Sequence, residues 1–220
     1  MGRQFYRLTL GVFDNACFLS HKDEMKVVER ALRRADLKLT FTQGFSPKPV
    51  FSFGPARPTG YGSLSDYLDI SLEESLDEQV LKKKINAVLP DGFFLYEVKK
   101  IAEAEFGNLS KLFIASILGV VIKSGAAVDL WLEKLNECFG GYGKFFYDPQ
   151  REHLFYERLG LAQENDKIFQ KKRGLLITFN TLTTDMPVFR LDKLLLDDKV
   201  CKFERKAIDR IFIIEYQLQY

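Results

Sequence analysis

The apolar period of this chain switches from two to 3.6 and back twice within its first hundred residues, and a sheet covered by helices meets that pattern. Tyr6, Leu8, Leu10 and Val12 alternate with Phe5, Arg7 and Thr9, the spacing of a strand. Ser20 then stands before a run with Asp23 and Glu24 in its first turn, a helix start whose acids suit the positive end of the dipole. Met25, Val28, Leu32 and Ala35 form the stripe that helix would bury. Residues 37–41 read as a short strand and 50–53 as extended. Between them Thr42-Gln43-Gly44-Phe45-Ser46-Pro47-Lys48-Pro49 is a loop, because two prolines and a glycine forbid regular structure. A second loop over 54–65 carries Pro55, Pro58, Gly60 and Gly62. Leu68, Ile70 and Leu72 alternate with Tyr67, Asp69 and Ser71 as a strand. Asp77 caps a helix on Val80, Leu81, Ile85 and Val88 that Pro90-Asp91-Gly92 ends, and 93–98 is a strand.

Strand, helix, strand, strand, helix, strand is the split βαβ order of a ferredoxin-like domain. Both helices would lie on one face of an antiparallel sheet, leaving the other face free for a partner, a ligand or a second domain. Residues 102–110 read as a polar connector, and the pattern then restarts. Leu112 to Ile122 is a strand. Val128, Trp131, Leu132, Leu135, Cys138 and Phe139 share a helix face that Gly140-Gly141 stops. Residues 145–147 and 153–156 flank Asp148-Pro149 as a hairpin. A basic loop over 165–173, a strand over 175–179, a short helix over 189–196 and a strand over 211–218 complete the chain. The fold class expected is α+β: two ferredoxin-like (split βαβ) units, 1–103 and 111–220, with antiparallel sheets and helices on one face.

Charge and composition narrow the function. Lys and Arg number 32 against 30 Asp and Glu, a net +2, so nucleic-acid binding would need a local patch rather than bulk charge. No run approaches the roughly 20 apolar residues of a membrane span, and the start has no signal-peptide core, so no membrane and a cytoplasmic location are expected. Cys17, Cys138 and Cys201 lie far apart, and His21 and His153 have no ligand-spaced neighbours, so neither a metal site nor an iron–sulfur cluster is indicated. Phosphate-loop and dinucleotide motifs are missing, and no cofactor is expected.

The first helix and the loop after it carry the candidate site. Lys22, Lys26, Arg30 and Arg33 recur at i, i+4, i+8 and i+11, and Arg34 extends the stripe; residues 20–49 hold seven basic against four acidic side chains. Such a stripe can hold phosphates, although on charge alone it is also what a solvated helix face looks like. Gln43, Ser46 and Ser52 offer hydrogen bonds, Lys48 a charge, Gly44 close backbone approach, and Phe45, Phe51 and Phe53 stacking surfaces, a combination that suits single-stranded RNA. Phe51 and Phe53 point the same way along a strand and fit a core role equally well. Ser20 and His21 join the set at the helix start, and His21 is the one plausible general base. Two further basic groups, Lys167, Lys171, Lys172 and Arg173, then Lys199, Lys202, Arg205, Lys206 and Arg210, would complete a groove if they met the first helix. The acids Asp66, Asp69, Glu73, Glu74, Asp77 and Glu78 are expected to lie away from phosphate.

Phe18-Leu19-Ser20-His21, Glu29 to Ala35, the Thr42 to Pro49 loop, Phe51-Ser52-Phe53, Pro58-Thr59-Gly60, Ser63 and Asp66 to Asp69 together resemble a bacterial family, the uncharacterised radical SAM-linked domain of unknown function. In that family the loop usually reads Ser-Gln-Gly-Phe-Asn-Pro-His-Pro-Arg; here Thr42, Ser46, Lys48 and Val50 differ, so neither the histidine nor the arginine is kept. The match is dense over about residues 5–100. The resemblance implies a partner radical SAM enzyme and, by association, a role in RNA modification. The function expected is a non-catalytic module that presents RNA, or another phosphate-bearing substrate, to that enzyme. Two alternatives stand beside it: a metal-independent RNA endonuclease resembling CRISPR repeat-processing enzymes, with His21 as base, and a protein–protein adaptor using the open sheet face.

Overall fold

The computed structural model of the protein describes residues 2–107, 109, 113–122, 128–139, 143–162, 175–181 and 208–218. Two compact units emerge, Met1–Thr59 with Ser65–Leu112, and Gly60–Leu64 with Phe113–Tyr220.

The first unit runs β1 (Gln4–Val12), α1 (His21–Arg34), β2 (Phe51–Phe53), β3 (Gly62–Leu72), α2 (Glu78–Asn86) and β4 (Phe93–Ile101). The strands lie in the order β4-β1-β3, with β2 on β3. A strand therefore separates the two ends of each βαβ crossover, the ferredoxin-like arrangement. One face forms the core, where Tyr6, Leu8, Leu10, Leu68, Ile70 and Leu95 meet Val28 and Leu32 of α1 and Leu81 and Ile85 of α2. The buried positions of β4 skip from Leu95 to Val98 because the pairing with β1 slips by one residue between Thr9 and Leu10, a bulge at Tyr96.

Both helix starts follow the sequence expectation. Ser20 Oγ accepts from the Asp23 amide at 3.2 Å, and Asp77 Oδ1 accepts from the Gln79 and Val80 amides at 2.9 and 3.1 Å. Three expectations are corrected. Residues 37–41 make only isolated bridges, Leu39 to Leu72 and Phe41 to Pro49, because Asp36 turns the chain with φ +52°. The second loop is shorter than expected, since β3 already begins at Gly62. The sheet face opposite the helices is closed where it was expected to be free: Phe5, Arg7, Thr9, Asp69 and Ser71 are buried on it. The segment after β4 lies against this face. Arg7 Nη2 donates to the Glu105 carbonyl at 2.9 Å, the Gly107 amide donates to Asp69 Oδ2 at 3.2 Å, and the Phe106 ring sits 4.9 Å from Phe5.

The second unit runs β5 (Phe113–Ile122), α3 (Val128–Phe139), β6 (Gly143–Phe146), α4 (Pro149–Ala162), β7 (Leu175–Thr181) and β8 (Ile208–Leu218). The strands β8-β5-β7-β6, antiparallel to one another in that order, again make the arrangement of a ferredoxin-like unit. The expected hairpin over 153–156 is helix α4 instead. Asp148-Pro149 is a helix start and not a turn: Asp148 Oδ1 accepts from the Gln150 and Arg151 amides at 2.9 and 3.2 Å, and Pro149 sits in the first position, where its missing N–H costs nothing. The basic loop over 165–173 and the short helix over 189–196 lie outside the described residues.

One device occurs in both units. The Asn86 side chain donates to the Leu95 carbonyl at 2.9 Å and accepts from its amide at 2.8 Å; Asn136 does the same with Phe145 at 2.9 and 2.9 Å. Each asparagine, nine residues before its strand partner, ties a helix to the strand that follows. Among the described residues no helix is long and apolar enough to cross a membrane.

Candidate functional site

Four ionisable side chains meet where α1 begins. Arg57, in the loop between β2 and β3, is buried, with its side chain 1% exposed. Its Nη2 donates to Glu24 Oε2 at 2.8 Å, its Nε to Asp66 Oδ2 at 3.2 Å, and its Nη1 to the Cys17 carbonyl at 3.3 Å. One guanidinium thus faces two carboxylates in a poorly solvated place. Burial first, then the Asp66 charge, pushes Glu24 up to about 7 against the opposing pull of the Arg57 guanidinium. His21, half-buried on the same turn, is lowered by burial, raised by Asp66 and lowered by Arg57, which favours neutral imidazole. Its ring meets Phe53 edge-on at 6.1 Å, and Phe53 meets Phe51 at 6.3 Å.

Asp66 thus lies beside His21 rather than apart from the candidate residues, as expected for the acidic stretch. The sequence reading missed Arg57 and Glu24 as partners. The signal available was weak: a lone arginine among Pro55, Ala56 and Pro58, nine residues before Asp66.

Along α1 the basic stripe is partly neutralised. Lys26 pairs with Asp23 at 3.0 Å and Arg33 with Glu29 at 2.8 Å. Arg34 Nη2 donates to the Val88 carbonyl at 2.9 Å, just past the end of α2. Lys22 and Arg30 are exposed and have no ion-pair partner among the described residues. Ser20 Oγ is engaged with Asp23 at 2.7 Å. Free positive charge is therefore left at Lys22 in the first turn and at Arg30 two turns further along the helix.

The 42–48 loop joins α1 at its base. Arg33 lies over the Phe41 ring, 5.3 Å from its centroid. The loop is pinned by the Thr42 amide to the Lys48 carbonyl at 2.8 Å and by the Lys48 amide to Thr42 Oγ1 at 3.0 Å. Gln43, Gly44, Phe45, Ser46 and Lys48 are all exposed, and Gly44 takes φ +137°, which a side chain would resist. Phe45 is fully exposed. Phe51 and Phe53, half-buried, pack against the core. Ser52, between them on β2, points to the other face of the sheet and is not brought to the α1 surface. Lys167, Lys171, Lys172, Arg173, Lys199, Lys202, Arg205 and Lys206 lie outside the described residues, and Arg210 falls on β8. A shallow depression of about 560 Å³ beside the loop base, lined by Arg3, Lys38, Thr40, Phe41, Glu73 and Glu74, has its lysine paired with Glu74 at 2.8 Å.

Fold and site define an α+β protein of two ferredoxin-like units with an aromatic-tipped loop beside a basic helix. The chain belongs to a family described as an uncharacterized protein conserved in bacteria (DUF2344), whose model matches residues 6–134. No curated protein matches it. Among solved structures, the acetolactate synthase small subunit from Thermotoga maritima is similar over 100% of this chain and 99% of its own, at 9% identity and a TM-score of 0.27, a likeness that carries no argument.

Proposed function

We propose that this protein is a binding module for a phosphate-bearing polymer, RNA foremost, which it presents to a separate radical SAM enzyme. The observation that supports the reading is the pinned, exposed 42–48 loop, seated through Phe41 on Arg33 of a helix whose Lys22 and Arg30 stay unpaired among the described residues. Lys48 adds a third exposed cation, and Gln43 and Ser46 add exposed hydrogen-bonding groups. The enzyme that would receive the ligand is carried by the family resemblance of this loop. Filter binding of single-stranded RNA across a salt series tests the reading. Three phosphate contacts give a slope of log affinity against log salt of about −2 from these residues. The Lys22→Glu, Arg30→Glu, Lys48→Glu triple variant is expected to lose that part of the slope. An unchanged slope in the variant, or no RNA binding with or without the partner enzyme, overturns the reading.

One observation favours a second reading. His21 is half-buried, favours the neutral form, and feels the Asp66 carboxylate. A neutral imidazole near a carboxylate is suited to take the proton of a ribose 2′-hydroxyl. RNA cleavage that persists in EDTA and disappears in His21→Ala supports this reading; cleavage indifferent to His21 removes it.

A further inference from the structure

We propose that Phe45 is a stacking platform for one unpaired base of a single-stranded RNA, an inference that rests on the reading above and names the state of its ligand. Phe18 and Val80 of the first unit are also exposed, at 68% and 48%, but among the described residues the Phe45 ring alone lies wholly in water. The exposure is built into the backbone. Two hydrogen bonds between Thr42 and Lys48 close the loop, and the Phe41–Pro49 bridge holds its stem. Gly44 supplies the positive φ immediately before Phe45, and Pro47 stiffens the return. Phe45 therefore has little to do with stability and stands ready to meet something flat and apolar.

Charge identifies what that is. Exposed Lys48 follows three residues later in the same loop, and the loop stem sits against Arg33, itself paired with Glu29, with Arg30 exposed on the same helix. An exposed ring on a loop that also carries a cation, next to a basic helix, fits a base attached to a phosphate backbone. Bases in a duplex already have both faces covered, so a single ring on a loop tip discriminates for unpaired RNA. An anionic lipid layer would bury the whole ring among acyl chains rather than stack on its face, and the experiment separates the two.

The experiment compares four probes by fluorescence anisotropy at one salt concentration: oligouridine of about twelve nucleotides, within the size range of small single-strand sites, an abasic ribose-phosphate chain of equal length, a duplex of equal length, and anionic lipid vesicles. Phe45→Ala is expected to weaken oligouridine binding roughly 5- to 150-fold, the range for one lost stack. It should leave abasic-chain affinity and the melting temperature unchanged. Phe45→Trp should restore binding, and its indole emission should be quenched by oligouridine but not by the abasic chain, with wild type correcting for Trp131. Val80→Ala, another exposed apolar side chain, should change nothing. If oligouridine and the abasic chain bind alike and Phe45→Ala affects neither, stacking is overturned while phosphate binding stands. If neither chain binds, both fall. Equal binding of the duplex, or a Phe45→Ala loss seen on vesicles instead of RNA, also overturns the inference.

Discussion

Replacing Arg57 with Met is expected to destabilise the protein by roughly 3–5 kcal/mol, the cost of breaking a buried ion pair by removing one partner. The methionine keeps much of the stem volume, so the loss isolates the guanidinium. Glu24 and Asp66 would then face each other with no counter-charge, and the Cys17 carbonyl would lose a donor. For a chain of this length that corresponds to a melting temperature lower by about 6–20 °C. The loss should be smaller at pH 5 than at pH 8, because Glu24, already pushed up to about 7, then carries a proton. Adding Glu24→Gln and Asp66→Asn to Arg57→Met should recover part of it. Thermal and urea unfolding measure both effects, and a loss under about 1 kcal/mol for Arg57→Met would show that the guanidinium is not what holds this corner. Arg57 ties the β2–β3 loop to the first turn of α1, so the same variant also tests whether that tie holds the loop beside Glu24.

The second large effect is a pH profile that runs against the usual acid sensitivity of proteins. Glu24 has a folded pKa of about 7 against 4.5 unfolded, so between those values the folded chain binds more protons than the unfolded one. The stabilising contribution is fully present below about 4.5 and is lost as pH rises through about 7. Its full size is on the order of 3 kcal/mol. Asp23, held down by its hydrogen bonds to Ser20 and Lys26, acts in the opposite sense, but only below its ordinary value of 3.8. Glu24→Gln mimics the protonated form, with its carbonyl accepting from Arg57 and its amide donating to Asp66. Unfolding free energies at pH 5, 6, 7 and 8 should therefore converge at the acid end and favour Glu24→Gln at the alkaline end. Parallel profiles for the two proteins would rule out the raised Glu24 pKa.

Much of the first unit can be read without coordinates. Tyr6 to Val12, Ser20, Val28, Leu32, Leu68 to Leu72 and Asp77 each announce a strand, a cap or a buried stripe through spacing alone. These features depend on neighbours within a few residues, where backbone geometry sets the period. The helix α4 was misread for the same local reason: Asp-Pro starts either a turn or a helix, and the residues after it, His153 to Tyr156, lack a clean period.

The candidate site divides along the same line. Lys22, Arg30, Gln43, Gly44, Phe45 and Lys48 are visible in the sequence as a basic helix face and a proline-bounded loop. Which of the cations remain free could not be read there, because Asp23 and Glu29 choose partners by side-chain reach. That Phe51 and Phe53 turn inward while Phe45 stays in water also needs the loop's stem and its bridge to Pro49.

Spacing along the chain therefore determined the strands, the helices and the loop that interrupts them. Only the tertiary structure decided that Arg57 and Asp66 come to Glu24 and His21 from 33 and 45 positions away in sequence, respectively. The physical reason is that periodicity reports which face of an element is dry, whereas the partner of a buried charge is whatever the packing of other elements brings within hydrogen-bond reach.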